Sequence, residues 1–121
     1  MIYMKTNNVI VYHNPRCSKS SKVVDLLKSR NIQFDTFLYL DNEISHKDFL
    51  NILALLKLRP RDVLRKKEKE YQERNLDNPK LTDTQIIEII LKNRKLIERP
   101  IVMTRTKAVI ARPPEKVFEI F

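Results

Sequence analysis

Val9-Ile10-Val11-Tyr12-His13-Asn14-Pro15-Arg16-Cys17-Ser18-Lys19-Ser20 changes character twice within a short span. Its first four residues are apolar and mostly β-branched, which predicts a buried strand over residues 9–12. Asn14-Pro15 then turns the chain. Ser18 or Ser20 can cap a helix, and the amphipathic run Val23, Val24, Leu26 and Leu27 predicts that one follows, to about residue 30, ended by Asn31. Cys17 therefore falls between the carboxyl end of a strand and the amino end of a helix, where unpaired backbone N–H groups favour an anion. The helix terminus, Arg16, Lys19 and His13 all favour the thiolate, which is the nucleophilic form. A lone cysteine is more often a small buried hydrophobe. Here no apolar residue adjoins it and cations flank it, which favours the reactive reading.

Working outward, 121 residues predict one domain spanning residues 1–121. Hydrophobic content of 42% and charged content of 32% are those of a globular protein in water. No apolar run approaches the length needed to cross a bilayer, so no membrane partner is expected. Residues 1–6 show neither the apolar segment nor the small-residue cleavage site of a signal peptide. The single cysteine excludes an internal disulfide framework and a Cys-rich zinc site. The expected compartment is the cytoplasm, where a thiol stays reduced.

The net charge of +9 suits either a phosphate backbone or a small anion drawn in by a positive field. The lysines are scattered among acids, and no aromatic and basic residues alternate along a strand, so nucleic-acid binding is only weakly signalled. Glycine is absent, which excludes every glycine-rich nucleotide loop. Asn31, Asn75 and Asn93 fall where left-handed helix caps are wanted instead.

Residues 34–40 predict a second buried strand, and with the first strand and helix they make a βαβ unit with a parallel pair. Ser45-His46-Lys47-Asp48 resembles a capping box and opens a helix through Phe49, Ile52, Leu53 and Leu56. Pro60 suits the first turn of another helix, with Arg61, Arg65, Lys66 and Lys67 on its outer face and continuation. Glu68 to Leu76 suggest a further turn or two. Thr82-Asp83-Thr84-Gln85 is a second capping box, before the apolar stripe Ile86, Ile87, Ile89, Ile90 and Leu91. Residues 100–103 and 108–111 form a hairpin, and Pro113-Pro114-Glu115 opens a last helix. This order resembles a thioredoxin-like α/β core: a mixed four-stranded sheet with a helical insertion, about residues 45–93, between its βαβ and ββα halves.

Arg65, Arg99 and Arg112 each lie at an element boundary, the last two immediately before proline, which holds the backbone extended. Three guanidinium forks with a thiolate suit a tetrahedral oxyanion. Taken singly, Arg99 could instead pair with Glu98 or Glu88, and Arg65 could sit on a solvated basic face. His13, four residues before Cys17, is an electrostatic partner or a strand-end residue satisfying local hydrogen bonds.

Together His13-Asn14-Pro15-Arg16-Cys17-Ser18-Lys19-Ser20, Leu64-Arg65-Lys66, Glu98-Arg99-Pro100-Ile101-Val102 and Arg112-Pro113-Pro114-Glu115 resemble the glutaredoxin-linked arsenate reductases, from about residue 9 to 121. Cys-Ser-Lys-Ser is similar to one branch of that family, where the best-understood members carry Gly-Thr at Ser18-Lys19. The resemblance implies that Cys17 is the nucleophile and that Arg65, Arg99 and Arg112 bind the oxyanion. It implies that His13 assists the thiol, that Ser20 puts a hydroxyl near it, and that Pro100 is a cis-proline beside the cysteine. The implied reaction reduces arsenate, or a similar oxyanion, through a thiol–arsenate adduct on a monomer. Glutathione supplies the second thiol as co-substrate, glutaredoxin resolves the mixed disulfide, and no metal or bound cofactor takes part. Two alternatives stay open: a general glutathione-dependent thiol oxidoreductase, and a regulator of the same superfamily that docks on RNA polymerase. Regulators of that kind usually carry Cys-x-x-Cys, whereas Ser20 stands here.

Overall fold

The computed structural model describes residues 8–121. Residues 1–6, read above for a signal segment, lie outside the described residues. Strands β1 (Ile10–Tyr12), β2 (Asp35–Phe37), β3 (Ile101–Met103) and β4 (Ala108–Ile110) form one sheet in the order β2-β1-β3-β4. The β1–β2 pair is parallel, and the β1–β3 and β3–β4 pairs are antiparallel. Helix α1 (Ser18–Ser29) joins β1 to β2. Between β2 and β3 come α2 (His46–Leu56), a 3₁₀ turn (Pro60–Val63), α3 (Lys69–Glu73), α4 (Asp83–Lys92) and a second 3₁₀ turn (Arg94–Leu96). This is the mixed, thioredoxin-like α/β sheet expected from the order of elements.

The apolar run over residues 9–12 is continuous rather than alternating because both faces of the sheet are covered. Val9, Val11 and Val102 pack on one side with Val23 and Leu27 of α1 and with Val117 and Ile120. Ile10, Tyr12, Ile101 and Met103 pack on the other, in the core that holds Phe49, Ile52 and Leu53 of α2 and Ile86, Ile87 and Ile90 of α4. Successive strand residues take opposite faces, so one short strand feeds two cores. Each fully buried Leu, Ile or Phe contributes about 1.5–3 kcal/mol. That cover anchors β1, and with it the loop that carries Cys17. The Tyr12 and Phe37 rings, 5.1 Å apart, tie β1 to β2 at the same end.

Several expectations change. The second strand is shorter than residues 34–40: Thr36 is exposed, Leu38 is 36% exposed, and only Phe37 and Tyr39 of its later residues are buried. Beyond Phe37 the carbonyls are used elsewhere. Leu38 O accepts from the backbone N–H groups of Asp41 and Asn42, and Arg94 donates to Tyr39 O at 2.6 Å and Leu40 O at 3.2 Å. The helix expected from Pro60 is a 3₁₀ turn ending at Val63, so Arg65 lies beyond it, in a segment bridged antiparallel through Leu64 and Ile97. Arg61 is no solvated surface residue. Its guanidinium donates to Leu76 O, Asn78 O and Leu81 O, closing the loop before α4. The last helix is 3₁₀ in form, Pro114–Ile120.

The caps follow the glycine-free composition. Asn31 and Asn75 take left-handed backbone at φ 57° and 52°, as expected, but so does Lys57 at 58°. Asn93, at φ −138°, caps α4 differently, its side-chain amide donating to Ile89 O. The Thr82–Gln85 capping box forms in both directions, and Ser45 Oγ accepts from Asp48 N.

Candidate active site

After Tyr12 the chain stays in register for one more residue, His13 N donating to Phe37 O at 2.9 Å. Asn14 then makes the turn. Its side-chain oxygen accepts from Arg16 N at 3.0 Å, and its carbonyl accepts from Cys17 N at 2.9 Å. Neither serine caps the helix. The N-cap of α1 is Cys17 itself, with extended backbone (φ −99°, ψ 121°) and no capping hydrogen bond from its side chain. The sulfur is thus left unused at a helix amino end whose first turn holds no acidic residue, where backbone N–H groups favour an anion. Cys17 is half-buried and free.

Ser20, inside the first turn, is the one fully buried polar residue among the described residues. Its Oγ lies 2.6 Å from His13 Nδ1 and accepts from Asn14 N at 3.1 Å. Burial pushes the His13 imidazole below its ordinary 6.5, toward the neutral form. A serine hydroxyl carries one donor and two acceptor positions, so Oγ satisfies either tautomer of His13 while accepting from Asn14. His13 and Ser20 therefore hold the two ends of the Cys17 loop together.

Arg99 and Arg112 lie just outside the two ends of the β3–β4 hairpin. β3 and β4 pair Ile101 with Ile110, and Ala111 N continues the ladder to Pro100 O at 2.8 Å. One residue further, Arg112 N turns back to Ile110 O at 2.9 Å and the ladder stops. β1 pairs Tyr12 with Ile101, the residue that follows Pro100. Both Arg99-Pro100 and Arg112-Pro113 are cis; the first was expected from the resemblance, the second was not. Arg99 lines a small crevice with Tyr12, Tyr39, Phe49, Ile52 and Glu98, and its Nε is buried with no hydrogen-bond partner among the described residues. Glu98 pairs with Arg65 rather than Arg99, at 3.6 Å from Nε, while Glu68 takes Arg65 Nη1 at 2.5 Å. Arg65 N donates to Leu96 O and Glu98 N to Val63 O, which is why Arg65 and Glu98 meet.

The sequence drew no attention to Tyr39 beyond its place in a buried run. It is 2% exposed, two residues past the end of β2. Its hydroxyl is pushed far above the usual phenol range, mainly by burial; Arg65 opposes the shift, and Cys17, Glu68 and Glu98 add to it. One phenol thus senses the thiol and the Arg65 cluster together, and stays a hydrogen-bond donor. The usable signal was its position, at the carboxyl end of a strand parallel to the one before Cys17. Arg94, also missed, fixes Tyr39 in place through the Tyr39 carbonyl. Beside the loop a cleft of about 530 Å³ opens between Asn14, Pro15 and Arg16 on one wall and Arg94, Lys95 and Glu70 on others. Among the described residues no cluster of His, Cys, Asp and Glu has metal-binding geometry, and no helix is long and apolar enough to cross a membrane.

The chain is similar to known proteins in sequence and fold. The chain is 41% identical over 114 residues to an arsenate reductase of Haemophilus influenzae, covering 93% of this chain and 98% of that one. It is 40% identical over 116 residues to YfgD of Escherichia coli K12, covering 95% and 98%, a protein whose name states no activity. The solved structure of an arsenate reductase from Vibrio cholerae superposes with a TM-score of 0.91 at 37% identity, over 95% of this chain and 98% of that one. Residues 12–120 match the ArsC family, and the chain belongs to it.

Proposed function

We propose that this protein reduces arsenate to arsenite, with Cys17 as nucleophile and Arg65, Arg99 and Arg112 holding the oxyanion. The observation that carries the reading is an uncommitted thiol at a helix amino terminus, near enough to the buried Tyr39 phenol to share its field with Arg65. Membership of the ArsC family and the names of its relatives support the same reaction.

Cys17 thiolate attacks As(V) and forms an S–As bond, while one arsenate oxygen takes up protons and leaves as water. The arginines and the buried Tyr39 phenol stabilise charge gathering on the remaining oxygens. Glutathione thiolate then attacks the Cys17 sulfur. The S–As bond breaks with its electron pair on arsenic, so As(V) becomes As(III) and arsenite departs, and Cys17 is left as a mixed disulfide. Glutaredoxin attacks the glutathione sulfur and returns Cys17 as thiolate. An external second thiol follows from the single cysteine in the sequence. The cleft beside the loop, with Arg16, Lys92 and Lys95 for carboxylates and Asp41 and Glu70 for an ammonium, has the mixed charge a zwitterionic tripeptide requires. His13 and Ser20 keep the loop in position. We assign the protein to the cytoplasm as a monomer, where the glutathione pool keeps Cys17 reduced.

The test is NADPH oxidation with glutathione, glutaredoxin and glutathione reductase, with and without arsenate. Arsenate-dependent oxidation is expected. Equal rates in both conditions would refute arsenate reduction and leave a general thiol oxidoreductase.

A further inference from the structure

We infer that Glu68 selects for tetrahedral oxyanions that still carry a hydroxyl, so that the site accepts the arsenate and phosphate class and rejects sulfate. The inference rests on the proposed reading that an oxyanion sits on Arg65.

Arg65 does not wait as a bare cation. Glu68 Oε1 is 2.5 Å from Nη1 and Glu98 Oε1 is 3.6 Å from Nε, with the three side chains only 19%, 25% and 30% exposed. The Arg65–Glu68 contact is built into the backbone. Glu68 N donates to Arg65 O at 3.1 Å, closing a tight turn, and Glu68 is the residue from which α3 begins. An oxyanion that takes the Arg65 guanidinium must therefore share it with the Glu68 carboxylate. Two carboxylates outweigh one guanidinium, which is a poor arrangement for a fully ionised anion.

An ionised carboxylate only accepts hydrogen bonds. Beside a bound oxyanion it is satisfied if that ion offers a hydroxyl, and it is repelled if the ion offers only lone pairs. Arsenate and phosphate keep at least one hydroxyl at neutral pH, whereas sulfate keeps none. The rest of the site supplies donors: Arg99 with its unpartnered Nε, the Tyr39 phenol held in its protonated form, and the amino end of α1. Several donors and one fixed acceptor form the complement of a protonated oxyanion.

The single cysteine gives a readout independent of turnover. Iodoacetamide alkylation of Cys17 is followed by intact mass against rising arsenate, phosphate or sulfate, for wild type, Glu68→Gln, Glu68→Ala and the α3 control Glu73→Gln. Glutamine keeps the shape but can donate; alanine does neither, so the pair separates lost acceptance from a gained donor. In the wild type and in Glu73→Gln, arsenate and phosphate should protect at concentrations roughly tenfold or more below sulfate. In both Glu68 variants that ratio should collapse to within about threefold. If the variants tighten all three anions equally, only charge acts and hydroxyl recognition is wrong; an unchanged ratio overturns it too. Failure of arsenate and phosphate to protect the wild type at all would remove the oxyanion site itself. That outcome is distinct from a site that binds them without discriminating.

Discussion

Replacing Arg65 with alanine separates a convergent site from a merely basic surface. The lost charge-assisted contact to an oxyanion is worth about 1.5–3 kcal/mol. Removing the guanidinium also leaves Glu68 and Glu98 facing the site without their counter-charge. At an effective dielectric of about 20, an anion roughly 6 Å away interacts with each by about 3 kcal/mol. Both carboxylates are a quarter or more exposed, so solvent screening reduces their joint effect to about 1 kcal/mol. The sum, about 2.5–4 kcal/mol, corresponds to roughly a hundredfold to thousandfold loss in kcat/KM. Arg112 forms no salt bridge among the described residues, so Arg112→Ala should lose the contact alone, roughly tenfold to hundredfold. Lysine at position 65 should rescue only partly, since an ammonium cannot reproduce the planar fork. Lys66→Ala and Lys67→Ala lower the net charge equally and should change kcat/KM by less than about threefold. The assay is the arsenate-dependent coupled reaction at two ionic strengths. Equal losses at Arg65 and Lys67, or differences erased by salt, would refute the convergent site.

Cys17→Ser should abolish arsenate reduction while leaving the circular dichroism spectrum intact; in the wild type, intact mass should show a glutathione adduct that requires arsenate. Tyr39→Phe removes one buried donor, about 0.5–1.5 kcal/mol, and should lower kcat/KM roughly twofold to twelvefold with little change in melting temperature; an unchanged kcat/KM would exclude the phenol from the site. His13 has a folded-state pKa below its unfolded 6.5, so the unfolded chain binds more protons in that window. Stability should therefore be fully present above pH 6.5 and decline as pH falls below it, and His13→Gln should flatten that part of the melting-temperature profile.

What the sequence made legible was governed by local rules. Period and composition located β1 and α1, the Thr82–Gln85 box marked the start of α4, and the β3–β4 hairpin followed from two short apolar runs. The misreadings lie where distant groups compete for backbone hydrogen bonds. β2 stops at Phe37 because Asp41 and Asn42 take Leu38 O and Arg94, far along the chain, takes the Tyr39 and Leu40 carbonyls, and no local pattern around residue 38 encodes the Arg94 contacts. Arg61 looked like one more cation on a basic face because its three carbonyl partners lie 15 to 20 residues away. Asn93 had the right residue type for a left-handed cap, but its amide reached Ile89 O and made that backbone unnecessary.

The site divides along the same line. Cys17 and the loop around it are local, so their placement was readable from strand, turn and helix in succession. The electrostatic balance is not local. Glu98 looked like a partner for Arg99, yet the antiparallel contact of residues 63–65 with 96–98 sets it against Arg65, where the turn from Arg65 also places Glu68. Tyr39 looked like a core residue, yet from two residues past the end of β2 it shares the field of the thiol. A count of cations would describe this site as an attractor for any anion. The two carboxylates change that: they cancel Arg65 as a long-range charge while leaving its remaining N–H groups free to bind at short range. Discrimination then depends on which hydrogens the anion brings, and the net charge of +9 is left to bring anions toward the protein rather than to choose among them.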